Sequence, residues 1–161
     1  MVSLQSLLWA LPAFLCIHVV EEFCYPGGFI QWMAAFNPRR IKSTRYYIAI
    51  NTVGIVVGII IALTAKDIIG YCVYVFLVTF MATNGLSHLI AAIQERAYCP
   101  GCVSGPLLFI PLAIVSYWKF TTDNLINWQS LVLNAILGFV VGFLAFTVHR
   151  RRASSKVTRE E

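Results

Sequence analysis

The sequence predicts an all-α fold, a polytopic membrane helix bundle, and three observations predict it. Hydrophobic residues fill 59% of the 161 positions and charged residues only 12%, about half the charge of an ordinary soluble domain. The apolar residues fall in long blocks, five of which approach the ~20 residues a helix needs to cross about 30 Å of hydrocarbon. Lysine and arginine cluster between those blocks instead of spreading over a surface. A cytosolic globular enzyme is excluded. Helix is required because a lipid-exposed backbone must satisfy its hydrogen bonds within its own segment, and the blocks lack the alternation of a barrel strand.

The first span is expected from Gln5 to Cys24. Met1 to Phe23 has no lysine or arginine ahead of its apolar run, so it reads as a retained helix and not as a cleaved signal peptide. In the connection Tyr25 to Arg45, Phe29, Trp32, Met33 and Phe36 recur at helical spacing before Asn37-Pro38-Arg39-Arg40 ends the pattern. They predict a short interfacial helix over about residues 29–37, either a plain connector or a lid for a lipid-soluble substrate. Further spans are expected at Tyr46 to Ala65, Tyr71 to Ile93, Val103 to Trp118 and Gln129 to His149. Residues 1–149 then form one transmembrane domain, and 150–161 a basic tail, expected to be disordered and drawn to anionic lipid. Trp9, Tyr46, Tyr47, Tyr71, Trp118 and Trp128 mark span ends. Pro12, Pro106 and Pro111 should kink spans one and four. Gly54 with Gly58 and Gly138 with Gly142 allow close helix approach, by default within the chain and alternatively in a homodimer.

Ten of the twelve basic residues lie on one side of this arrangement. Arg39, Arg40, Lys42 and Arg45 fall in the first connection, Arg96 in the third, and Arg150, Arg151, Arg152, Lys156 and Arg159 in the tail, against Lys66 and Lys119 opposite. The N-terminus is therefore expected outside and the C-terminus in the cytoplasm, in the inner or plasma membrane of the cell. The net charge of +5 then belongs to topology, and no nucleic-acid partner is expected.

A charged side chain in a span costs at least ~2.5 kcal/mol and usually marks function. His18, Glu21 and Glu22 fall within an arc of about 100° on span one; Asn84, His88 and Glu95, with Ala91 between them, lie within about 60° on span three. Both histidines sit roughly 10 Å from the cytoplasmic ends of their helices, so the two stripes match in depth. Three chemistries fit such a cluster. One is a metal, zinc or iron, held by His18, Glu22, His88 and Glu95 as candidate ligands. Another is a metal-free hydrolase with a buried glutamate as base and Asn84 and His88 stabilising an oxyanion. The third is a proton or cation pathway. A purely structural network, with Glu95 or Glu22 paired to Arg96, would leave both histidines without a role.

At these residues the sequence resembles the HXXEE family of integral membrane proteins. His18-Val19-Val20-Glu21-Glu22 matches the naming motif, Asn84-Gly85-Leu86-Ser87-His88 matches the N-x-x-x-H motif of that family, and Tyr98-Cys99-Pro100-Gly101 matches its Y-x-P-G. The resemblance implies which residues converge and points to an enzyme, without naming a reaction. Pro100-Gly101 also reads as the turn that ends span three, with Tyr98 either an interfacial anchor or aimed back at the carboxylates.

Among five cysteines, Cys99 and Cys102 have the C-x-x-C spacing of a redox pair or half a zinc site. A quinone-linked thiol oxidoreductase is thus a competing expectation, though a cytoplasmic placement keeps thiols reduced. Cys16 and Cys72 read as small hydrophobes. Phosphate loops, G-x-S-x-G elbows and H-E-x-x-H patterns are absent from the sequence. The leading expectation is an intramembrane enzyme acting by hydrolysis or oxidation on a lipid-soluble or amphipathic small molecule, with His18, Glu21, Glu22, Asn84, His88 and Tyr98 as catalytic candidates and membrane lipid as its surroundings. The alternatives are a proton-coupled transporter or channel and an assembly subunit; the outer halves of the spans offer little polar lining, Asn51 and Thr52 lying on the inner half of span two.

Overall fold

A computed structural model describes residues 2–24, 28–36 and 42–157, with side chains described as far as residue 145. Among the described residues six α-helices follow one another: α1 (Leu4–Cys24), α2 (Gly28–Phe36), α3 (Thr44–Thr64), α4 (Ile68–Glu95), α5 (Ile110–Thr122) and α6 (Trp128–Val157). Their starts follow local capping chemistry. Ser43 accepts from the Tyr46 N–H at the head of α3, and Asp67 accepts from the Gly70 N–H at the head of α4, each satisfying a donor that the first turn leaves open. Arg96 ends α4 in the left-handed conformation.

Among the described residues, α1, α3, α4 and the Trp128–Ala145 part of α6 are long and apolar enough to cross a membrane, by length and composition. The expected fourth span, Val103 to Trp118, is not one of these. Its chain is helical but divided into a wide π-type turn, Gly105–Phe109, and the thirteen-residue α5. Pro106 and Pro111 account for the division: each lacks an N–H and its ring crowds the preceding turn, so regular i→i−4 bonding is interrupted. Pro12, by contrast, is carried inside an unbroken α1. A short helix forms over Gly28–Phe36, while the Asn37-Pro38-Arg39-Arg40 stop lies outside the described residues. The tail also differs from expectation, because α6 continues to Val157. Residues 143–157 contain no proline or glycine, so nothing there breaks the helix.

The core lies where α1, α4 and α5 meet: Leu7, Leu8, Leu11 and Leu15 pack with Tyr74, Val75, Val78, Phe109 and Phe120. Tyr74 enters it with its hydroxyl satisfied, donating to the Leu7 carbonyl at 2.9 Å beside Ser116 Oγ at 3.1 Å. α3 packs along α1 and α6 along α4. Their outer faces, including Val53, Ile60 and Leu63 of α3 and Leu133, Ile136 and Phe139 of α6, are exposed and apolar.

The two small-residue pairs serve contacts within the chain, apart from one glycine. A Cβ on Gly138 would sit 2.4 Å from the Phe76 carbonyl oxygen, and one on Gly142 2.9 Å from Thr83 Cβ, so α6 rests directly on the α4 backbone. Gly58 meets Pro12 of α1, and Gly54 faces open space. An equally close contact joins α4 to the π turn: a Cβ on Gly85 would lie 2.4 Å from the Gly105 carbonyl carbon. Only glycine at both positions lets these backbones touch, and that contact brings residues 98–105 against the two histidines.

Candidate functional site

The C-terminal end of α1 carries His18, Glu21 and Glu22. Counting about 100° per residue from His18, Glu21 lies near −60° and Glu22 near +40°, so the neighbouring carboxylates leave the helix on opposite sides of the imidazole. Glu22 turns inward. Its Oε1 is 3.5 Å from His18 Nε2 and 3.1 Å from His88 Nε2. His18, Glu22 and His88 are all buried, and one donor atom from each lies within 4.8 Å of the other two. The imidazole rings meet edge to face with centroids 5.3 Å apart.

A further set of groups orients these three. His18 Nδ1 is 2.9 Å from Ser104 Oγ, and His88 Nδ1 is 3.6 Å from Cys99 Sγ. Asn84 brings its Nδ2 to 3.4 Å from His18 Nε2. Asn51 of α3 donates to Glu22 Oε2 at 3.2 Å and to the Tyr47 carbonyl at 3.1 Å, which leaves Oε1 to the histidines. Gly101, at φ +92°, presses against both rings: a Cβ there would lie 2.8 Å from His18 Cε1 and 3.0 Å from His88 Nδ1. Phe109 closes the side of His18 at a centroid distance of 5.5 Å, and Phe29 of α2 covers His88 at 5.2 Å.

Four of the sequence candidates, His18, Glu22, Asn84 and His88, are thus brought together. Three others are not in that cluster. Glu21 accepts from the Tyr98 hydroxyl at 2.6 Å, the Val103 N–H at 3.1 Å and the Ser104 N–H at 2.7 Å. Tyr98 reaches Glu21. Glu95 is exposed at the last residue of α4; it shares the azimuth of His88 but lies seven residues on, about 10.5 Å along the axis. Asn51 and Ser104 are the members the sequence does not single out. Asn51 reads only as a polar residue on the inner half of a span, and Ser104 as one more position after the Pro100-Gly101 turn.

The cysteines are free thiols. Cys99 is fully buried, with the Cys102 N–H bonded to its carbonyl oxygen at 2.9 Å. Burial pushes the Cys99 thiol pKa up, and neighbouring Cys102 and the two carboxylates add to the shift, the opposite of what a reactive thiolate needs.

The three converging donors suit a divalent transition metal. Ligand atoms bound to one ion at about 2.0–2.2 Å stand roughly 3 to 3.5 Å apart, and the two Glu22 Oε1 separations fall in that range. Second partners on the far imidazole nitrogens are a usual feature of such sites. Beside the cluster a groove of about 440 Å³ runs between α1 and the start of the π turn, walled by Ile17, Val20, Cys24, Val103, Leu107 and Leu108 and touched by Glu21 and Ser104. Ile17, Val20 and Leu107 are exposed, so the groove opens to the outside of the bundle.

No solved structure matches the chain. It is 26% identical over 144 residues to "Uncharacterized protein YrkK" of Bacillus subtilis (strain 168), an alignment covering 82% of this chain and 86% of that protein. Residues 9–116, which hold all three motifs and every side chain of the cluster, match the family described as "Protein of unknown function with HXXEE motif". The chain therefore belongs to the HXXEE family.

Proposed function

We propose that the chain is an intramembrane metalloenzyme in which His18, Glu22 and His88 hold one zinc or iron ion, with a lipid-soluble or amphipathic molecule as substrate. The observation that carries this reading is the approach of both imidazole Nε2 atoms to a single oxygen of Glu22, with all three side chains buried. Two histidines and one carboxylate leave coordination positions open for a reactant, as catalytic sites require. Zinc would supply an activated water for hydrolysis, and iron would supply oxygen chemistry. The protein's own groups orient the set: Ser104 and Cys99 on the imidazoles, Asn51 on the carboxylate. Phe29 and Phe109 shield it from water. The apolar groove beside Ser104 suits a hydrocarbon-bearing substrate arriving from the bilayer.

The basic residues favour the cytoplasmic end of the bundle for this site, since Lys42, Arg45 and Arg96 lie at the ends of α3 and α4 nearest it. Proton-coupled transport needs a polar route through the opposite half, where the core is built mainly from Leu7, Leu8, Leu11, Val75 and Phe120. Elemental mass spectrometry of the detergent-purified protein tests the proposal. About one zinc or iron per chain is expected, falling below roughly a tenth of that in His18→Ala, Glu22→Gln and His88→Ala. A helical, wild-type chain that retains neither metal after incubation with each would overturn it.

A further inference from the structure

We infer that the adjacent glutamates of the His18-Val19-Val20-Glu21-Glu22 motif have different work: Glu22 serves the histidine cluster, whereas Glu21 is a positioning residue that clamps residues 98–104 and thereby lets Ser104 orient His18. The clamp rests on hydrogen bonds alone; its consequence for a bound ion rests on the metal reading above.

The geometry of Glu21 is that of an anchor. Its carboxylate takes three donors from a single connection, the Tyr98 hydroxyl and Val103 N–H on Oε1 and the Ser104 N–H on Oε2, and the Ser104 hydroxyl stands beside it as well. Charge-assisted bonds of this kind are short and strong, and a carboxylate, having only acceptors, is chemically suited to hold donors alone. Two of the three are backbone groups at the head of the helical run that begins the π turn. There the first N–H groups have no intrahelical acceptor, and negative charge is favoured.

Ser104 supplies the second half of the inference. It stands at the N-cap of the π turn, where a serine hydroxyl ordinarily bonds an N–H of its own first turn. It makes no such capping bond. Its Oγ instead lies 2.9 Å from His18 Nδ1. Glu21, reaching across from α1, occupies the capping role and stands against the Ser104 hydroxyl as well, so the serine is held between the carboxylate and the imidazole. The same connection carries buried Cys99 to His88 and Gly101 onto both rings. Holding its two ends through Tyr98 and Ser104 therefore holds everything between them that touches the cluster.

The experiment reads the clamp and its effect separately. Maleimide labelling of the full chain, resolved by peptide mass spectrometry, should show buried Cys99 protected in the wild type and modified at least about tenfold faster in Glu21→Ala, as the connection opens locally. Tyr98→Phe, which removes one donor of three, should give a smaller increase and serves if Glu21→Ala does not fold. Ser104→Ala should leave Cys99 protected. Cobalt(II) titration, followed by its visible absorption, should then show affinity weakened about 10- to 100-fold in Ser104→Ala. Glu21→Ala should weaken it at least as much, and the double variant no further than Glu21→Ala alone, since Glu21 acts through Ser104. Wild-type Cys99 labelling rates in Glu21→Ala and Tyr98→Phe would overturn the clamp, and additive losses of cobalt affinity would overturn its action through Ser104. A wild type that takes up no cobalt refutes the metal reading, while the labelling arm still decides the clamp.

Discussion

Gly101→Ala is the most informative single substitution, because one methyl group would meet both histidines. Two costs add. The backbone stands at φ +92°, on the left-handed side that disfavours an L side chain by about 1–2 kcal/mol. The new Cβ would also lie 2.8 Å from His18 Cε1 and 3.0 Å from His88 Nδ1, against a comfortable carbon contact of about 3.5–4.0 Å. Each ring would have to retreat by roughly 0.5 Å or more, although His18 is tied to Ser104 and His88 to Glu22. Overpacking of this kind costs typically 1–3 kcal/mol. A total near 3 kcal/mol corresponds to a fall in Tm of about 6–12 °C for a chain of this length. The measurement is thermal unfolding in one fixed detergent by circular dichroism. Gly54→Ala is the internal reference: its Cβ meets nothing within 4 Å, so better helix propensity should raise stability by about 0.5–1 kcal/mol. A Gly101→Ala protein melting within about 2 °C of wild type would refute the idea that this turn bears on the rings.

Gly138→Ala should destabilise by a comparable amount, about 2–3 kcal/mol, because its Cβ would meet the Phe76 carbonyl at 2.4 Å and push α6 off α4; unfolding under the same conditions checks it, and a neutral result would contradict the backbone contact. At the opposite end of the bundle, buried Lys119 is paired with partly exposed Asp123 at 2.6 Å. Asp123→Ala strands the buried ammonium and should cost about 1–3 kcal/mol, discounted for solvent screening. Lys119→Met leaves only a carboxylate with water at hand and should cost less, so the order of the two melting temperatures is the readout.

Helical periodicity made much of the site legible. His18 and Glu22, and Asn84 and His88, are four apart and share a face, and matched depth is enough to bring the two pairs together. The same arithmetic contains the separation of the two glutamates, 100° apart about α1, although both lie within the arc that marks the stripe. Azimuth alone could not exclude Glu95, which fails on distance along the axis. Asn51 and Ser104 were out of reach because a single uncharged polar residue in or beside an apolar helix has too low a cost of burial to stand out. Among the long helices the apolar blocks were sufficient guides. The fourth block misleads because apolarity measures preference for hydrocarbon, whereas Pro106 and Pro111 decide whether that preference is housed in one regular helix.

The bare contact between Gly85 and Gly105 makes chain length itself a determinant of this site. Gly85 precedes His88 by three residues, less than one helical turn, so the point at which α4 touches the π turn also sets the height and heading of the imidazole. A single residue inserted between them would swing His88 by about 100° and raise it about 1.5 Å, taking Nε2 away from Glu22 with every side chain still present. On the other side, Gly105 is the immediate neighbour of Ser104, so the same point gauges the reach of the hydroxyl to His18. Residues 84–105 thus behave as a ruler with fixed graduations. The turn at 123–127, between α5 and α6, bears no such measure and is where the chain can change length without disturbing the histidines.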